Sequence, residues 1–249
     1  MNKSIFITGG TSGIGKALIN QFAKNNYDIF FTYFKNLRQA KEISKKLKEL
    51  KIRHDYTKMD LGKTNSIITT FKKFSKKFNK FSIFINNASP KIKRENFLQT
   101  KNKDILKNLN TLLGGNIITL KNALEYSLKE KNISESIIIN ISSYASITGG
   151  KNIHLYAAAK AALNILSKAL SGDKYKKKIK IISIVPRFID THTFRKNNNI
   201  KNKNDLNSFI KLKKIKLVKK PSEFSEFVYN KIIKTKNYQK KQIFYFHTN

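Results

Sequence analysis

Short strand-like runs alternate with longer helical segments along the whole chain. The strand-like runs are continuous stretches of β-branched and aromatic residues, such as Ser136–Ile141, which is typical of strands buried on both faces of a parallel sheet. The segments between them repeat apolar residues with helical spacing, as Ile14, Leu18 and Phe22 do. Strict alternation of this kind predicts an α/β fold, a doubly wound parallel sheet of about seven strands with helices on both faces.

The pattern sets approximate bounds for each element. The predicted strands are Lys3–Thr8, Asp28–Tyr33, Arg53–Met59, Phe81–Ile85, Ser136–Ile141, Lys180–Val185 and Gln242–Phe246. The predicted helices are Ile14–Lys24, Leu37–Leu50, Thr64–Phe78, Lys103–Lys129, Leu155–Leu170 and Pro221–Lys234. Residues 187–220 are polar and lysine-rich without a regular period, which predicts a flap or a solvated loop.

Length and composition exclude several classes of protein. The chain has 249 residues, which suits one α/β domain, so we predict a single domain over residues 1–249. It has no cysteines, and its four histidines are scattered, so neither thiol chemistry nor a metal site is expected. No apolar run reaches the roughly 18 residues of a membrane span. The first residues lack the apolar region of a signal peptide, so a cytoplasmic location is expected.

The formal net charge of +36 raises the question of a polyanionic partner. Nucleic acid, an anionic membrane and an acidic protein are the candidates. The lysines, however, are spread through every segment beside abundant Asn, Ile and Phe, whereas nucleic-acid binders usually concentrate their charge. We therefore interpret the charge as a bias of composition, and we expect only weak, non-specific binding to polyanions at low salt.

The segment Thr8–Gly15 reads Thr-Gly-Gly-Thr-Ser-Gly-Ile-Gly and lies between the first strand and the first helix. Its glycines let the backbone approach a pyrophosphate, and the helix that follows presents free N–H groups and the positive end of its dipole. The turn is therefore predicted to bind a dinucleotide. The residues concerned are Gly9, Thr11, Ser12, Gly13, Ile14 and Gly15.

Tyr156 and Lys160 are spaced i and i+4, so they share one face of the predicted helix. An ammonium group near a phenol stabilises the phenolate, and a phenol whose pKa is lowered in this way can exchange a proton with a carbonyl or an alcohol. The spacing alone is a weak signal. It gains weight from Ser142-Ser143 at the end of one predicted strand and Asn86-Asn87-Ala88 at the end of another.

Taken together, these motifs resemble those of the short-chain dehydrogenase/reductase family over nearly the whole chain. The matching elements are Thr8–Gly15, Asp60-Leu61, Asn86-Asn87-Ala88, Ser143, Tyr156 with Lys160, and the segment from Pro186 to Thr191. The resemblance implies a Rossmann-type sheet, an NAD(P)(H) cofactor and a homotetramer or homodimer.

The resemblance also implies a role for each matching residue. Ser143 would bond the substrate oxygen, Tyr156 would be the general acid in reduction, and Lys160 would hold the nicotinamide ribose and lower the pKa of Tyr156. The remaining matches would contact the cofactor: Asp60 and Leu61 at the adenine, Asn86 and Ala88 along its length, and Thr191 at the carboxamide. Pro186 and Ile189 are expected to bind the cofactor as well.

The chain departs from the family pattern at several positions. Ser89 replaces the glycine of Asn-Asn-Ala-Gly, as in pteridine-reductase-like members, and Arg187 replaces the glycine after Pro186, where it would add bulk or charge at the pocket mouth. The family's further catalytic residue is an asparagine on the long helix. Asn110 is preferred by local pattern, with Asn108 and Asn116 as alternatives. The usual Gly-Gly near the C-terminus, which serves a dimer contact, is absent.

The residues after the second strand bear on the choice of cofactor. NAD-preferring proteins place an acidic residue there to bind the ribose 2′-hydroxyl. This chain has no acid in that region, whereas Lys35 and Arg38 could meet a 2′-phosphate. We therefore predict that NADP(H) is favoured over NAD(H).

The segment Pro186–Thr191 and the run Tyr-Ala-Ala-Ala-Lys-Ala resemble those of 3-oxoacyl-[acyl-carrier-protein] reductases of fatty acid synthesis. The resemblance implies NADPH-dependent reduction of a carbonyl, and a basic surface suits an acidic carrier protein. The alternatives are reductases of pteridine, sugar or polyketide ketones, and a non-catalytic protein that binds NADP or polyanions. The intact Ser143, Tyr156 and Lys160 argue against the last.

Overall fold

The protein is described here from a computed structural model, which covers residues 3–91, 93–129, 135–172 and 178–246. Within these residues seven strands form one sheet, and all of its pairings are parallel. The strand order β3-β2-β1-β4-β5-β6-β7 confirms the predicted doubly wound, Rossmann-type sheet. The strands are β1 Ser4–Ile7, β2 Asp28–Tyr33, β3 His54–Lys58, β4 Ile83–Asn86, β5 Ser136–Ile141, β6 Ile179–Pro186 and β7 Ile243–Phe246.

The helices connect the strands and cover both faces of the sheet. Those before β6 are α1 Gly13–Ala23, α2 Leu37–Glu49, α3 Thr64–Lys77, α4 Asn102–Leu109, α5 Gly115–Lys129, α6 Ala145–Thr148 and α7 His154–Ser171. Those after β6 are α8 His192–Asn197, α9 Lys203–Leu212 and α10 Pro221–Glu226. The single helix predicted over Lys103–Lys129 is divided, because a π-helical turn at Asn110–Gly114 joins α4 to α5.

The two faces of the sheet have separate apolar cores, because side chains alternate along each strand. One core packs α1, α2 and α10 against the sheet through residues such as Ile19 and Phe224. The other is rich in phenylalanine. At its centre Phe6 lies against Phe30, Phe74 and Phe84, with ring centroids 4.8–5.1 Å apart. Each core is one connected cluster of buried side chains.

Of the two alternatives predicted for residues 187–220, a solvated loop is wrong, because α8 and α9 form there. They enclose a small apolar cluster of their own, built on Ile200, Phe209 and Ile215. A β-bridge between Ile189 and Lys219 closes the segment at its base. We call residues 187–220 the flap.

The sheet order reverses between β1 and β4, so the connections leave these neighbouring strands toward opposite faces. In open α/β sheets a ligand crevice lies outside the carboxyl ends of the strands at such a point. The glycine turn follows β1, and Asn86 ends β4 beside it. Ser143 follows β5, and the flap follows β6. The fold therefore gathers the predicted motifs along one edge of the sheet.

Candidate active site

The glycine turn links β1 directly to α1. Ser12 caps the helix, and its Oγ accepts a hydrogen bond from the N–H of Gly15 over 2.9 Å. Gly9 has a φ of +69°, a conformation that favours glycine. A Cβ on Gly15 would overlap the carbonyl oxygen of Gly9, so only glycine allows this close approach of turn and helix. The turn thus keeps an open backbone surface at the start of α1, which fits the pyrophosphate of a dinucleotide.

Asn87 fastens this turn to the end of β4. Its side-chain amide donates to the carbonyl oxygens of Thr8 and Gly9, over 2.9 Å and 3.2 Å. In return, Thr8 Oγ1 accepts hydrogen bonds from the backbone N–H groups of Asn87 and Ala88. Asn87 therefore shapes the glycine turn, a role that the sequence motif did not assign to it.

Asn86 is buried behind the site. Its amide donates to Asn140 Oδ1 over 3.1 Å and to the carbonyl oxygen of Asn116 over 3.3 Å. Asn140 in turn donates to Ser167 Oγ on α7 over 2.9 Å. Asn86 thereby connects β4 and β5 to α7, the helix that carries Tyr156 and Lys160.

The predicted adenine and 2′-phosphate residues lie at the far end of the crevice. Leu61 is buried, and Asp60 Oδ1 accepts a hydrogen bond from the N–H of Gly62 over 2.9 Å. Lys35 and Arg38 are exposed at the start of α2, and Arg38 pairs with Glu42 over 3.2 Å. The end of β2 therefore offers basic groups and no carboxylate to a ribose.

The segment after β6 closes over the glycine turn. Thr191 caps α8 by accepting a hydrogen bond from the N–H of Phe194, and a Cβ added to Gly13 would lie 2.8 Å from Thr191 Cγ2. Ile189 is buried, and the Pro186 carbonyl accepts a hydrogen bond from the N–H of Tyr144. Thr191 is thus adjacent to the glycine turn.

Ser143, Tyr156 and Lys160 come together between the end of β5 and the first turns of α7. The Ser143 side chain is hydrogen-bonded to Tyr156. Lys160 is buried, and its Nζ lies 5.7 Å from the centre of the Tyr156 ring. The same Nζ donates to the carbonyl oxygen of Ile141 over 2.7 Å. The hydroxyls of Ser143 and Tyr156, with the Lys160 ammonium group close to the Tyr156 ring, can form hydrogen bonds to a substrate oxygen and deliver a proton to it.

The pKa of Tyr156 departs from its ordinary value in the direction opposite to the predicted one. Burial raises the pKa of Tyr156 above its ordinary value, and the Ser143 hydrogen bond and the positive charge of Arg94 only partly oppose that rise. Burial also lowers the pKa of Lys160 to about 8. The prediction failed because it counted the charge of Lys160 and omitted the cost of desolvating both groups.

The three candidate asparagines have different surroundings. Asn108 is partly buried and lines the same pocket as Tyr156. Asn110, the preferred candidate, is exposed in the π-helical turn, with its side chain toward Gly114. Asn116 is buried, and its amide donates to the carbonyl oxygen of Leu112. The structure therefore brings Asn108 into the pocket of Tyr156, and neither Asn110 nor Asn116 is among the residues that line this pocket.

The pocket beside Tyr156 is the candidate substrate site. It is bounded by α4, by the start of α7 and by the loop before α4, and its lining includes Lys93, Glu95, Phe97, Asn152 and His154. Among the residues that the structure describes, no group of three or more His, Asp or Glu side chains could hold a metal ion. No described helix is long and apolar enough to cross a membrane.

Two arginines lie near the site, and of these only Arg187 was expected there, at the pocket mouth. Arg94 lies close enough to influence the ionisation of Tyr156, and its Nη1 is 3.4 Å from Asn198 Oδ1 in the flap. Arg187 stacks its guanidinium over the ring of Tyr144, 4.9 Å from the ring centre. In sequence Arg94 is one basic residue among many, so only the fold reveals its position.

Comparison with known proteins agrees with this geometry. A family model described as short chain dehydrogenase matches residues 3–202. The 3-oxoacyl-[acyl-carrier-protein] reductase of Bos taurus is 30% identical over 192 residues, which are 77% of this chain and 77% of that protein. The corresponding reductase of Chlamydia pneumoniae is 27% identical over 77% of this chain and 75% of its own length.

Solved structures share the fold at lower identity. Acetoin dehydrogenase from Salmonella typhimurium superimposes with a TM-score of 0.81 at 21% identity, covering 99% of this chain and 95% of its own. A short chain dehydrogenase from Burkholderia cenocepacia in complex with NADP has a TM-score of 0.77 at 21% identity, covering 91% and 89%.

A doubly wound sheet, a glycine turn at its switch point and a Ser-Tyr-Lys assembly beside that turn define a nicotinamide-dependent oxidoreductase that acts on CH–OH or C=O groups. The chain belongs to the short-chain dehydrogenase family.

Proposed function

We propose that the protein uses NADPH to reduce the ketone of a 3-oxoacyl group carried on an acyl-carrier protein, as in fatty acid synthesis. The observation that carries the proposal is the assembly of Ser143, Tyr156 and Lys160 beside the glycine turn. Reductases of this name are among its relatives, at 27–30% identity over three quarters of the chain. The resemblance of the Pro186–Thr191 segment supports the same substrate.

The roles of the side chains follow from their positions. When bound, the nicotinamide cofactor supplies the hydride. Ser143 donates a hydrogen bond to the substrate oxygen, which gains negative charge during reduction. Tyr156 Oη gives that oxygen its proton, and its raised pKa keeps the phenol protonated and ready to donate. Lys160 holds the base of α7 against Ile141 and presents its positive charge to the Tyr156 ring.

Asn108 is our candidate for the fourth polar group of the site. It lines the pocket of Tyr156, and its amide can position the substrate or a water there. The favoured cofactor is NADP(H), because Lys35 and Arg38 lie after β2 where an NAD-binding protein would carry an acid.

We also propose a homo-oligomer and a cytoplasmic location. Large apolar side chains are exposed on α4, α5 and α7, namely Leu106, Ile117 and Ile165. Burying such groups between subunits removes apolar surface from water, which favours association. The basic surface would attract an acidic carrier protein to the assembled enzyme.

The test is an assay of NADPH oxidation with acetoacetyl-[acyl-carrier protein] and with a pteridine and a sugar ketone as competing candidates. NADH is run in parallel. We expect the 3-oxoacyl substrate to have the highest kcat/KM and NADPH to be preferred. A higher kcat/KM for a pteridine or sugar ketone would replace the proposed substrate, and no turnover with any ketone would refute reduction as the function.

A further inference from the structure

Arg187 occupies an unusual place at the edge of the site. It directly follows Pro186, at the end of β6, and the Pro186 carbonyl is bonded to the N–H of Tyr144 over 2.9 Å. Tyr144 in turn follows Ser143, whose hydroxyl is bonded to Tyr156. The backbone of Arg187 is therefore joined to the segment that carries the catalytic serine, across one pair of strand ends.

The guanidinium of Arg187 is held in a fixed plane. It lies over the ring of Tyr144 at 4.9 Å and within 5.5 Å of the centre of the Phe188 ring. Phe188 is itself packed against the flap residues Phe194 and Phe209. Stacking between rings that are themselves packed removes much of the freedom that an arginine side chain normally has.

The Nε of Arg187 is buried, and no described group accepts a hydrogen bond from it. Burying an N–H donor without an acceptor is destabilising, and more so when the group is charged. No carboxylate among the described residues forms an ion pair with this arginine. The Arg187 side chain as a whole is only partly buried, so its two terminal amino groups can meet an acceptor that arrives with the substrate.

We propose that Arg187 is a specificity-determining residue that donates a hydrogen bond to a second carbonyl oxygen of the substrate, the one next to the sulfur of a 3-oxoacyl thioester. The inference rests on the proposed function, because it names what recognises that substrate class. In a 3-oxoacyl thioester this oxygen is separated from the ketone being reduced by a single methylene. A substrate held at both oxygens has a fixed orientation toward Ser143 and Tyr156.

The test compares two small substrates of the same length. One is the acetoacetyl thioester of N-acetylcysteamine, and the other is its thioether analogue, in which a methylene replaces the thioester carbonyl. The kcat/KM with NADPH is measured for both on the wild type, on Arg187→Met and on Arg187→Lys. Lys213→Gln, which removes an exposed charge from the flap, is the control for a general loss of positive charge.

We expect Arg187→Met to lower kcat/KM for the thioester about tenfold to a hundredfold, the range for a hydrogen bond from a charged donor. The kcat/KM for the thioether analogue should change by no more than about threefold, because this substrate lacks the oxygen that Arg187 binds. Arg187→Lys should recover part of the loss, and Lys213→Gln should behave as wild type. The ratio of kcat/KM for the thioester to kcat/KM for the thioether, measured on one variant, does not depend on how much of that variant is folded.

If Arg187→Met lowers kcat/KM equally for both substrates, the inference is overturned and the proposed reductase activity still stands. If the wild type reduces neither substrate while it reduces another class of ketone, the proposed function fails and this inference fails with it. If Lys213→Gln lowers kcat/KM for the thioester as much as Arg187→Met does, the effect belongs to net charge. That result would also overturn the inference about Arg187.

Discussion

Lys160 is bonded through its Nζ to the carbonyl oxygen of Ile141, over a distance of 2.7 Å. The bond has a counterpart, since Ser142 Oγ donates to the carbonyl oxygen of Lys160 over 3.2 Å. The two bonds fasten the first turns of α7 to the end of β5, directly before Ser143. Lys160 therefore has a structural role in setting the distance between Ser143 and Tyr156, besides any contact with a cofactor.

The ionisation of Lys160 should make stability depend on pH in a definite direction. Burial lowers its pKa from 10.5 to about 8, so between these values the unfolded chain binds more protons than the folded one. The free energy of unfolding therefore rises with pH across this window, and the destabilisation is fully present below pH 8. Relative to Lys160→Met, the wild type should gain about 3 kcal/mol between pH 8 and 10.5.

Urea unfolding of both proteins across this range measures the difference. The comparison is needed because the chain has 51 Lys and Arg residues, and the other lysines titrate in both proteins alike. A constant difference between the two curves would show that Lys160 is not desolvated in the folded state.

Tyr156→Phe should lower turnover by at least about two orders of magnitude, because general acid catalysis by a placed side chain typically contributes about 10²–10⁴-fold. NADPH affinity should be largely kept, since the phenol adds little to holding a dinucleotide. Lys160→Ala should reduce both turnover and affinity. Tyr229→Phe, which changes a tyrosine packed against Phe22 in the core below α1, is the matched control. Near-normal turnover in Tyr156→Phe would refute the assigned mechanism.

Cofactor preference should depend on the basic residues after β2. Arg38→Ala should weaken NADPH binding about tenfold, as expected for the loss of a charged hydrogen bond to phosphate, and leave NADH binding unchanged. Glu42→Gln should strengthen NADPH binding, because it releases Arg38 from its ion pair. Lys41→Ala, an exposed change on the same helix, serves as the control in fluorescence titrations. If NADH proves to bind more tightly than NADPH in the wild type, the assignment of NADP(H) is wrong.

The sequence predicted the sheet well because buried strands leave a local signal. Continuous apolar runs such as Ser136–Ile141 appear in the structure with unchanged bounds. The glycine turn and the Tyr156 helix were also predicted, because their spacing alone fixes which groups share a turn or a helix face.

Features that depend on distant contacts could not be predicted. The π-helical turn at Asn110–Gly114 lies in a segment whose apolar spacing is that of an ordinary helix. The helices of the flap were missed because their lysine-rich sequence hides three apolar residues that form a cluster only in the fold. The direction of the Tyr156 pKa was wrong because burial, which outweighs the nearby charges, is a property of the whole fold. The expected loss of the family's C-terminal dimer contact concerns the end of the chain, where residues 247–249 lie outside the described residues.

Gly15→Ala should both destabilise the protein and abolish dinucleotide binding. The added Cβ would overlap the Gly9 carbonyl, and backbone cannot move aside as a side chain does. Overpacking of this kind costs about 1–3 kcal/mol or more. Gly172→Ala is the matched control at the end of α7, where the nearest atom to the new Cβ lies at 3.5 Å. Thermal unfolding and NADPH titration of both variants test this, and normal NADPH binding by Gly15→Ala would show that the turn is not the pyrophosphate site.

The last prediction separates a functional surface charge from a bias of composition. If the basic surface attracts an acidic carrier protein, kcat/KM with acetoacetyl-[acyl-carrier protein] should fall steeply as salt rises, because charges at the surface are screened over about 8–10 Å near physiological ionic strength. The small acetoacetyl thioester presents no such surface, so its kcat/KM should change little over the same range. Both substrates share the chemical step, so the ratio of their kcat/KM values reports the encounter with the carrier alone. Equal salt dependence for both would mean that the net charge of +36 does not serve carrier recognition.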